Sequence, residues 1–228
     1  MALSAAGGLL ADVVAPTGYA VRGGPLAEDL RRYKSDRAGA AEAAAAAGRL
    51  RERLAAFLAG QEWSVWAAAG MNAGPQAVAV VPSGQGRTGT HPLVGLVRSC
   101  VELPLVRLAV AAPESHSRGV NLGWVRVADR AGGGGMLVAA GGDVLVVDDT
   151  WVSGGSAQSV AAALKLAGAR RVAVVVLGRH VNPADPRSAA FLESVRAAAE
   201  KKPGKIVPDA VPARRACSSW GQDNDRSE

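Results

Sequence analysis

The strand–helix–strand pattern of residues 143–177 constrains the fold more than any other part of the chain. Residues 143–147, which are apolar after Asp143, predict a strand buried on both faces, because a half-exposed strand alternates apolar and polar side chains. Residues 156–166 have the pattern of a helix, and the apolar run at 172–177 predicts a second strand after a short turn. The segment therefore predicts a βαβ unit with two parallel strands.

The alternation of strand and helix patterns extends along most of the chain. Further strands are predicted over 77–81, 106–111 and 123–127. Further helices are predicted over 25–33 with Leu26, Leu30 and Tyr33 on one face, over 38–58 with Gly60 as the stop, from Pro92 to before Pro104, and over 186–199. The glycine run 132–135 is predicted to be a flexible loop. These elements predict an α/β fold with a mostly parallel central sheet flanked by helices.

Length and composition predict one main domain with extensions. The chain has 228 residues, of which 49% are hydrophobic, enough to bury the core of one α/β domain. We predict this domain over 25–200, after an irregular N-terminal lead-in at 1–24. Residues 201–228 are polar and interrupted by proline, so we predict a disordered C-terminal tail.

Charge and cysteine content limit the compartment and the partners. The net charge of +6 is compatible with nucleic acid, anionic lipid or phosphorylated small molecules as partners. The arginine pairs lack interleaved aromatic residues, which favours solvated surfaces over a nucleic-acid interface. Cys100 and Cys217 have the spacing of neither a zinc site nor a disulfide framework, so we expect a reducing cytoplasm. Neither a secretory signal nor an apolar run long enough for a membrane helix is visible, and no membrane partner is expected.

The segment 144–159 combines an acid pair with a turn of small residues. Asp148 and Asp149 follow the predicted strand, at the carboxyl end where open α/β sheets bind ligands. Residues 152–156 form a glycine-containing turn before a helix, and the backbone amides there suit a phosphate. Since two carboxylates would repel a bare phosphate, the acids are expected to bind sugar hydroxyls or to lie near Mg²⁺. Ribose 5-phosphate satisfies both halves, whereas the spacing fits neither a Walker A loop nor a dinucleotide-binding motif.

The sequence VLVVDDTWVSGGS at 144–156 resembles the phosphoribosyl pyrophosphate (PRPP) signature of type I phosphoribosyltransferases. The resemblance implies that Asp148 and Asp149 hold the ribose hydroxyls in the catalytic site. It also implies that the loop amides bind the 5-phosphate; these belong to Val152, Ser153, Gly154, Gly155 and Ser156.

Three further segments are similar to the ComF-like (competence protein F) amidophosphoribosyltransferase homologues. They are residues 25–38, 78–87 and 117–127, so the resemblance spans about 25–183. It implies the type I phosphoribosyltransferase fold with a small variable hood over the sheet. It also implies a catalytic role for Arg118 in a mobile loop that closes on pyrophosphate. The implied pyrophosphate loop contains Ser83, Gly84, Gln85 and Arg87.

The chain departs from this family pattern in three places. The N-terminal cysteine-rich zinc module of the branch is missing. Val152-Ser153 replaces the usual threonine pair, which removes one hydroxyl from the 5-phosphate loop. Trp151 stands where a small aliphatic residue is common, and we expect its ring to pack rather than to stack on a ligand.

The expected activity is transfer of a 5-phosphoribosyl group between PRPP and an unidentified nitrogenous base or amine, with pyrophosphate as the leaving group and Mg²⁺ as the cofactor. A regulator that senses PRPP without turnover is an alternative, and it would bind PRPP without releasing pyrophosphate. A competence-type DNA-associated protein is another, and it would show a steep salt dependence of DNA affinity. The sequence does not determine the oligomeric state, and a homodimer stays open.

Two other residues invite a catalytic interpretation. His91 precedes a proline that opens a predicted helix, so a capping role is as compatible with its position as a role as a base. Cys100 lies within an apolar helical pattern, which favours a small core side chain over a nucleophile.

Overall fold

The computed structural model describes residues 8–35, 38–83, 91–111, 119–129, 132–201 and 211–212. Its main sheet contains β1 (Val13–Pro16), β2 (Tyr19–Val21), β3 (Ala77–Val80), β4 (Leu105–Val106), β7 (Val144–Trp151), β8 (Val172–Val181) and β9 (Val211–Pro212). A separate two-stranded sheet contains β5 (Leu108–Val110) and β6 (Val125–Val127). The helices are α1 (Pro25–Arg32), α2 (Ala40–Ala69), α3 (Pro92–Arg98), α4 (Gly133–Ala139), α5 (Gly155–Leu166) and α6 (Pro186–Lys201).

The main sheet is parallel apart from its short final strand. Its order is β4-β3-β7-β8-β1-β9, and β2 also pairs with β8. Strands β3, β7 and β8 lie in the middle and are apolar along most of their length, as expected for strands covered on both faces. The predicted α/β class with a mostly parallel sheet flanked by helices is therefore confirmed.

Helices cover both faces of the sheet and create two hydrophobic cores. On one face, α1, α2 and α3 pack against alternate strand residues such as Leu145, Val147 and Val175. On the other face, α5 and β6 pack against the intervening residues, such as Val146 and Val174. This division follows from the two-residue period of a strand, which sends successive side chains to opposite faces.

The chain reverses its direction of travel across the sheet between β3 and β7. After β3 it moves outward to β4, and after β7 it moves the other way to β8. Loops that follow adjacent strands at such a switch point diverge and leave a crevice at the carboxyl edge. The residues that follow β3 and β7 border this crevice.

The lead-in at 1–24, expected to be irregular, instead contributes two strands. Residue pairing joins β1 and β2 in succession to β8, with Val14 opposite Val174 and Ala20 opposite His180. Between the two strands, the amide of Thr17 donates to the carbonyl of Val176 at 2.8 Å. The interruption at Thr17 and Gly18 hides the strand pattern, because each apolar run is too short to stand out.

The predicted helix stop at Gly60 is also wrong. Helix α2 continues to Ala69 and ends at Gly70, which adopts the left-handed conformation at φ 73°. A glycine within a helix costs only about 1 kcal/mol, and burial of Val65 and Trp66 beyond Gly60 outweighs that cost.

The glycine run 132–135 is not a flexible loop, since its last residues form the first turn of α4. A side chain at Gly134 would come within 2.7 Å of the backbone nitrogen of Val106. Glycine is therefore needed here for close packing of α4 against β4 rather than for mobility.

Most of the predicted tail, at 202–210 and 213–228, lies outside the described residues. Two of its residues, Val211–Pro212, pair antiparallel with β1. Among the residues that the structure describes, no helix is long and apolar enough to cross a membrane.

Gly60 and Gly70 make a matched pair for testing this description of α2. Gly60→Ala should stabilise the protein by up to about 1 kcal/mol, because the position is helical and nothing lies within 4 Å of the added methyl group. Gly70→Ala should destabilise it by about 1–2 kcal/mol, because alanine is strained at positive φ. Urea unfolding measures both changes, and a loss of stability in Gly60→Ala would contradict a continuous helix.

Candidate functional site

Strand β7 carries the acid pair to the carboxyl edge of the sheet. The strand is longer than predicted and includes both acids, with Asp148 opposite Val176 on β8. Asp148 and Asp149 are 9% and 7% exposed, so both carboxyl groups are largely removed from water. Burial of two neighbouring acids costs free energy unless other groups compensate their charge. Buried acids of this kind are typical of a functional site.

Two residues just after α1 bind the Asp149 carboxylate. The hydroxyl of Tyr33 donates to Oδ2 of Asp149 at 2.5 Å. The ammonium group of Lys34 lies 3.0 Å from Oδ2 and 3.1 Å from Oδ1. Sequence reasoning placed Tyr33 only on an apolar helix face and gave Lys34 no role. The resemblance stated for residues 25–38 includes both residues but implied no contact with the acid pair.

The two acids have opposite protonation tendencies. Burial, together with the negative charge of Asp149, raises the pKa of Asp148 to about 7, although its Oδ1 accepts a hydrogen bond from the Asp149 amide. Burial also acts to raise the pKa of Asp149, but the charge of Lys34 and the hydrogen bonds from Tyr33 and Lys34 outweigh it and lower that pKa. Near neutral pH the pair therefore carries between one and two negative charges, with Lys34 beside it.

In the turn after β7, Gly154 lies close against the ring of Trp151. Gly154 has φ 80°, and a Cβ at this position would lie 2.2 Å from the ring of Trp151. Trp151 is buried and belongs to the core beneath the turn, so the expected packing role is confirmed. The ring and the glycine together fix the entry into α5.

Helix α5 begins at Gly155 without a side-chain cap from Gly154. The first N–H groups of a helix have no partner within the helix, and the helix dipole makes this end positive. Val152 and Ser153 are exposed, while Gly155 is buried and Ser156 half-buried. The structure therefore places all five predicted phosphate-loop residues at the end of β7 and the start of α5.

The predicted pyrophosphate loop is described only at its first residue. Ser83 is half-buried and follows β3, whose end is tied to β7 by a hydrogen bond of 3.0 Å from the Val81 amide to the Val147 carbonyl. Gly84, Gln85 and Arg87 lie outside the described residues, as does Arg118.

The donor set fits a magnesium ion that arrives with a phosphate ligand. The described part of the chain contains no group of three or more His, Cys, Asp or Glu residues that could hold a metal ion. Asp148 and Asp149 still offer carboxylate oxygens, and Mg²⁺ commonly binds one or two carboxylates while phosphates and water complete its shell. A dedicated all-protein cage is not required for such an ion.

The other two candidates have structural roles. His91 is the N-cap of α3, where its Nδ1 accepts from the Leu93 amide at 3.1 Å, so the capping interpretation is confirmed. Cys100 is partly buried against the core on the α2 face, and its thiol lies 3.6 Å from the carbonyl of Arg51.

Comparisons of the chain with protein-family models, with curated proteins and with solved structures found no match. The likeness of residues 144–156 to a PRPP signature therefore rests on the sequence of those residues alone.

The raised pKa of Asp148 predicts a specific pH dependence of stability. Between its ordinary value of 3.8 and about 7, Asp148 binds a proton in the folded chain but not in the unfolded chain. The free energy of unfolding should therefore fall as the pH rises through this window. Asp148→Asn removes this loss, so the variant should gain up to about 4 kcal/mol relative to the wild type between pH 4 and pH 7.

Urea unfolding at a series of pH values measures this difference. Asp149→Asn is the companion variant, because it removes one cause of the raised Asp148 pKa and should weaken the slope. A constant stability difference between Asp148→Asn and the wild type across the window would contradict the assignment.

Gly154→Ala tests the contact that shapes the loop. The substitution adds a methyl group against the Trp151 ring at positive φ, so we expect a loss of about 2 kcal/mol or more. Gly133→Ala is the matched control, because Gly133 also has positive φ but has open space around it. Thermal or urea unfolding compares the two, and equal losses would show that the Trp151 contact contributes nothing.

Proposed function

We propose that this protein has the type I phosphoribosyltransferase fold and, with Mg²⁺, transfers a 5-phosphoribosyl group between PRPP and a nitrogenous acceptor. The observation that carries the proposal is the buried acid pair at the carboxyl end of β7, followed at once by the Gly154 turn and the start of α5. These groups border the switch point between β3 and β7, where open α/β sheets bind their ligands.

The 5-phosphate would bind at the turn between β7 and α5. Val152 and Ser153 are exposed and lead into the positive end of α5, which attracts an anion. The positive φ of Gly154 aligns the following amides without the clash that a side chain would cause. This part of the site needs no basic side chain.

The ribose hydroxyls would bind Asp148 and Asp149. A carboxyl group with a pKa of about 7 exists in both protonated and ionised forms near neutral pH, so Asp148 can donate to or accept from a hydroxyl. Asp149 is already hydrogen-bonded to Tyr33 and Lys34, and a hydroxyl would replace one of these donors. The positive charge of Lys34 also reduces the repulsion between the acid pair and a nearby phosphate.

Displacement of pyrophosphate from the sugar develops positive charge on the ring carbon and negative charge on the leaving group. The ionised Asp149 would stabilise the ring, and the leaving group would bind at the predicted loop after Ser83. Mg²⁺ bound with PRPP would supply charge neutralisation of the pyrophosphate. A nitrogen nucleophile needs little assistance from a base, which agrees with the capping role of His91.

Calorimetric titration of the protein with PRPP and Mg²⁺ tests the site. The wild type should bind, and Asp148→Asn/Asp149→Asn should lose most of the affinity because the sugar contacts are removed. Glu42→Gln/Glu102→Gln is the matched control, since it removes two exposed carboxylates elsewhere and should bind as the wild type does. Absence of wild-type binding, or equal binding by the acid-pair variant, would overturn the proposal.

Release of pyrophosphate in the presence of candidate bases and amines separates turnover from binding. Binding without release for every acceptor would favour a PRPP-sensing regulator over a transferase. DNA affinity that falls steeply with salt while PRPP does not bind would favour the DNA-associated alternative.

A further inference from the structure

A cavity of about 320 Å³ lies at the amino edge of the sheet, at the other end of β7 from the acid pair. It is bounded by the second half of α2, by residues 73–75 before β3 and by residues 100–103 after α3. Leu145 of β7 also lines it, and Asp148 lies three residues further along, about 10 Å away at the rise of a strand. The cavity is therefore separate from the proposed PRPP site, and its volume suits a small ligand.

Two tryptophans of α2 line this cavity, which we call the tryptophan cavity. Trp66 is 5% exposed, and its ring packs against Gly74, where an added Cβ would lie 3.4 Å from the indole. Trp63, one turn earlier, is 68% exposed although it also lines the cavity. Burial of a large aromatic side chain is favourable, so an indole left in water beside a cavity offers surface that a ligand can cover.

The charge in the lining is negative. Glu62 and Glu102 contribute two carboxylates, and no lysine, arginine or histidine is among the described residues that line the cavity. Within the described part of the chain, neither carboxylate forms an ion pair or a side-chain hydrogen bond. Glu28, in contrast, is bound to two arginines. A cation in the tryptophan cavity would therefore meet negative charge that no other group already compensates.

The lining suits an organic cation better than a metal ion. The described residues include no group of three or more His, Cys, Asp or Glu side chains that could hold a metal, although Cys100 also lines this cavity. Most of the other lining side chains are apolar, for example Leu58 and Leu103. A bare ammonium group or a small metal ion keeps its hydration water strongly. A methylated ammonium group has an apolar surface, and tryptophan is the best aromatic partner for such a cation.

We propose that the tryptophan cavity binds a small organic cation that carries a methylated ammonium group. Trp63 and Trp66 contact the methyl groups, and Glu62 and Glu102 balance the charge. The proposal goes beyond the proposed phosphoribosyl transfer and does not depend on it, because the two sites lie at opposite edges of the sheet.

Three small ligands of similar size test the proposal by NMR titration of the full chain, followed through the tryptophan indole signals. Choline is the probe, and 3,3-dimethylbutanol is its neutral isostere, in which carbon replaces the ammonium nitrogen. Choline should bind about tenfold or more tightly than this alcohol, because only choline gains the attraction of the rings and the carboxylates. Choline should also bind more tightly than ethanolamine, whose unmethylated ammonium group is strongly hydrated.

Substitution of Trp63 tests the aromatic contact. Trp63→Leu should lower the affinity for choline about five- to thirtyfold, since it removes one ring from the cation. Trp63→Phe keeps a weaker aromatic face and should lose less than Trp63→Leu. Both variants should remain folded, because the side chain is mostly exposed, and urea unfolding checks this.

Substitution of the two glutamates tests the charge. Glu62→Gln/Glu102→Gln should lower the affinity for choline about three- to tenfold and leave that for 3,3-dimethylbutanol unchanged. Glu42→Gln/Glu52→Gln is the matched control, because it removes two exposed carboxylates of α2 that lie outside the tryptophan cavity. This control should bind choline as the wild type does.

Four results would overturn the proposal. Equal affinities for choline and its neutral isostere would show that charge contributes nothing. Ethanolamine binding as tightly as choline would show that the cavity takes a primary ammonium group, such as a lysine side chain, instead. Choline binding that Trp63→Leu does not weaken would place the ligand elsewhere, and equal losses in the two glutamate variants would mean that bulk charge explains the affinity. PRPP binding, titrated separately, reports on the proposed function alone.

Discussion

The contact of Tyr33 and Lys34 with Asp149 joins the N-terminal helix to the end of the central strand. These residues are 116 and 115 positions apart in the chain from Asp149, so the contact forms only when α1 lies over the carboxyl edge of the sheet. The same placement makes Lys34 part of the wall of a second cavity, beside Thr150. The acid pair and this second cavity are thus two sides of one arrangement, and a shift of α1 would alter both.

This contact also sets the charge of the acid pair. Lys34 and Tyr33 favour ionised Asp149, and the resulting negative charge, with burial, favours protonated Asp148. A proton on Asp148 and the ammonium group of Lys34 bring the local charge close to zero at or below pH 7. The repulsion that two carboxylates would exert on a phosphate is therefore much weaker than the sequence alone suggests.

The parts of the fold that were predictable are those in which local pattern and tertiary packing agree. Strand β3, helix α5 and strand β8 lie where apolar runs and turn residues predicted them. Nearly every residue of these elements is buried, so their apolar pattern is visible in the sequence despite its skewed composition. Besides the lead-in, the predictions at two glycines failed. Gly60 lies inside a helix and Gly134 lies at a close contact, and neither role is visible without the neighbouring element. Of the candidate site, the acids and the turn follow from contiguous residues, whereas Tyr33 and Lys34 depend on a contact between distant segments.

The distribution of positive charge bears on which anion the protein meets. Arg49 binds Asp29, Arg170 binds Asp143, and Arg171 binds Asp12, so these arginines contribute less to the surface field than the net charge of +6 suggests. The same holds beside the acid pair, where Arg31 binds Glu28 and Lys34 binds Asp149. With these cations paired inside the fold, the proposed phosphate site depends on the backbone amides at the start of α5 rather than on basic side chains.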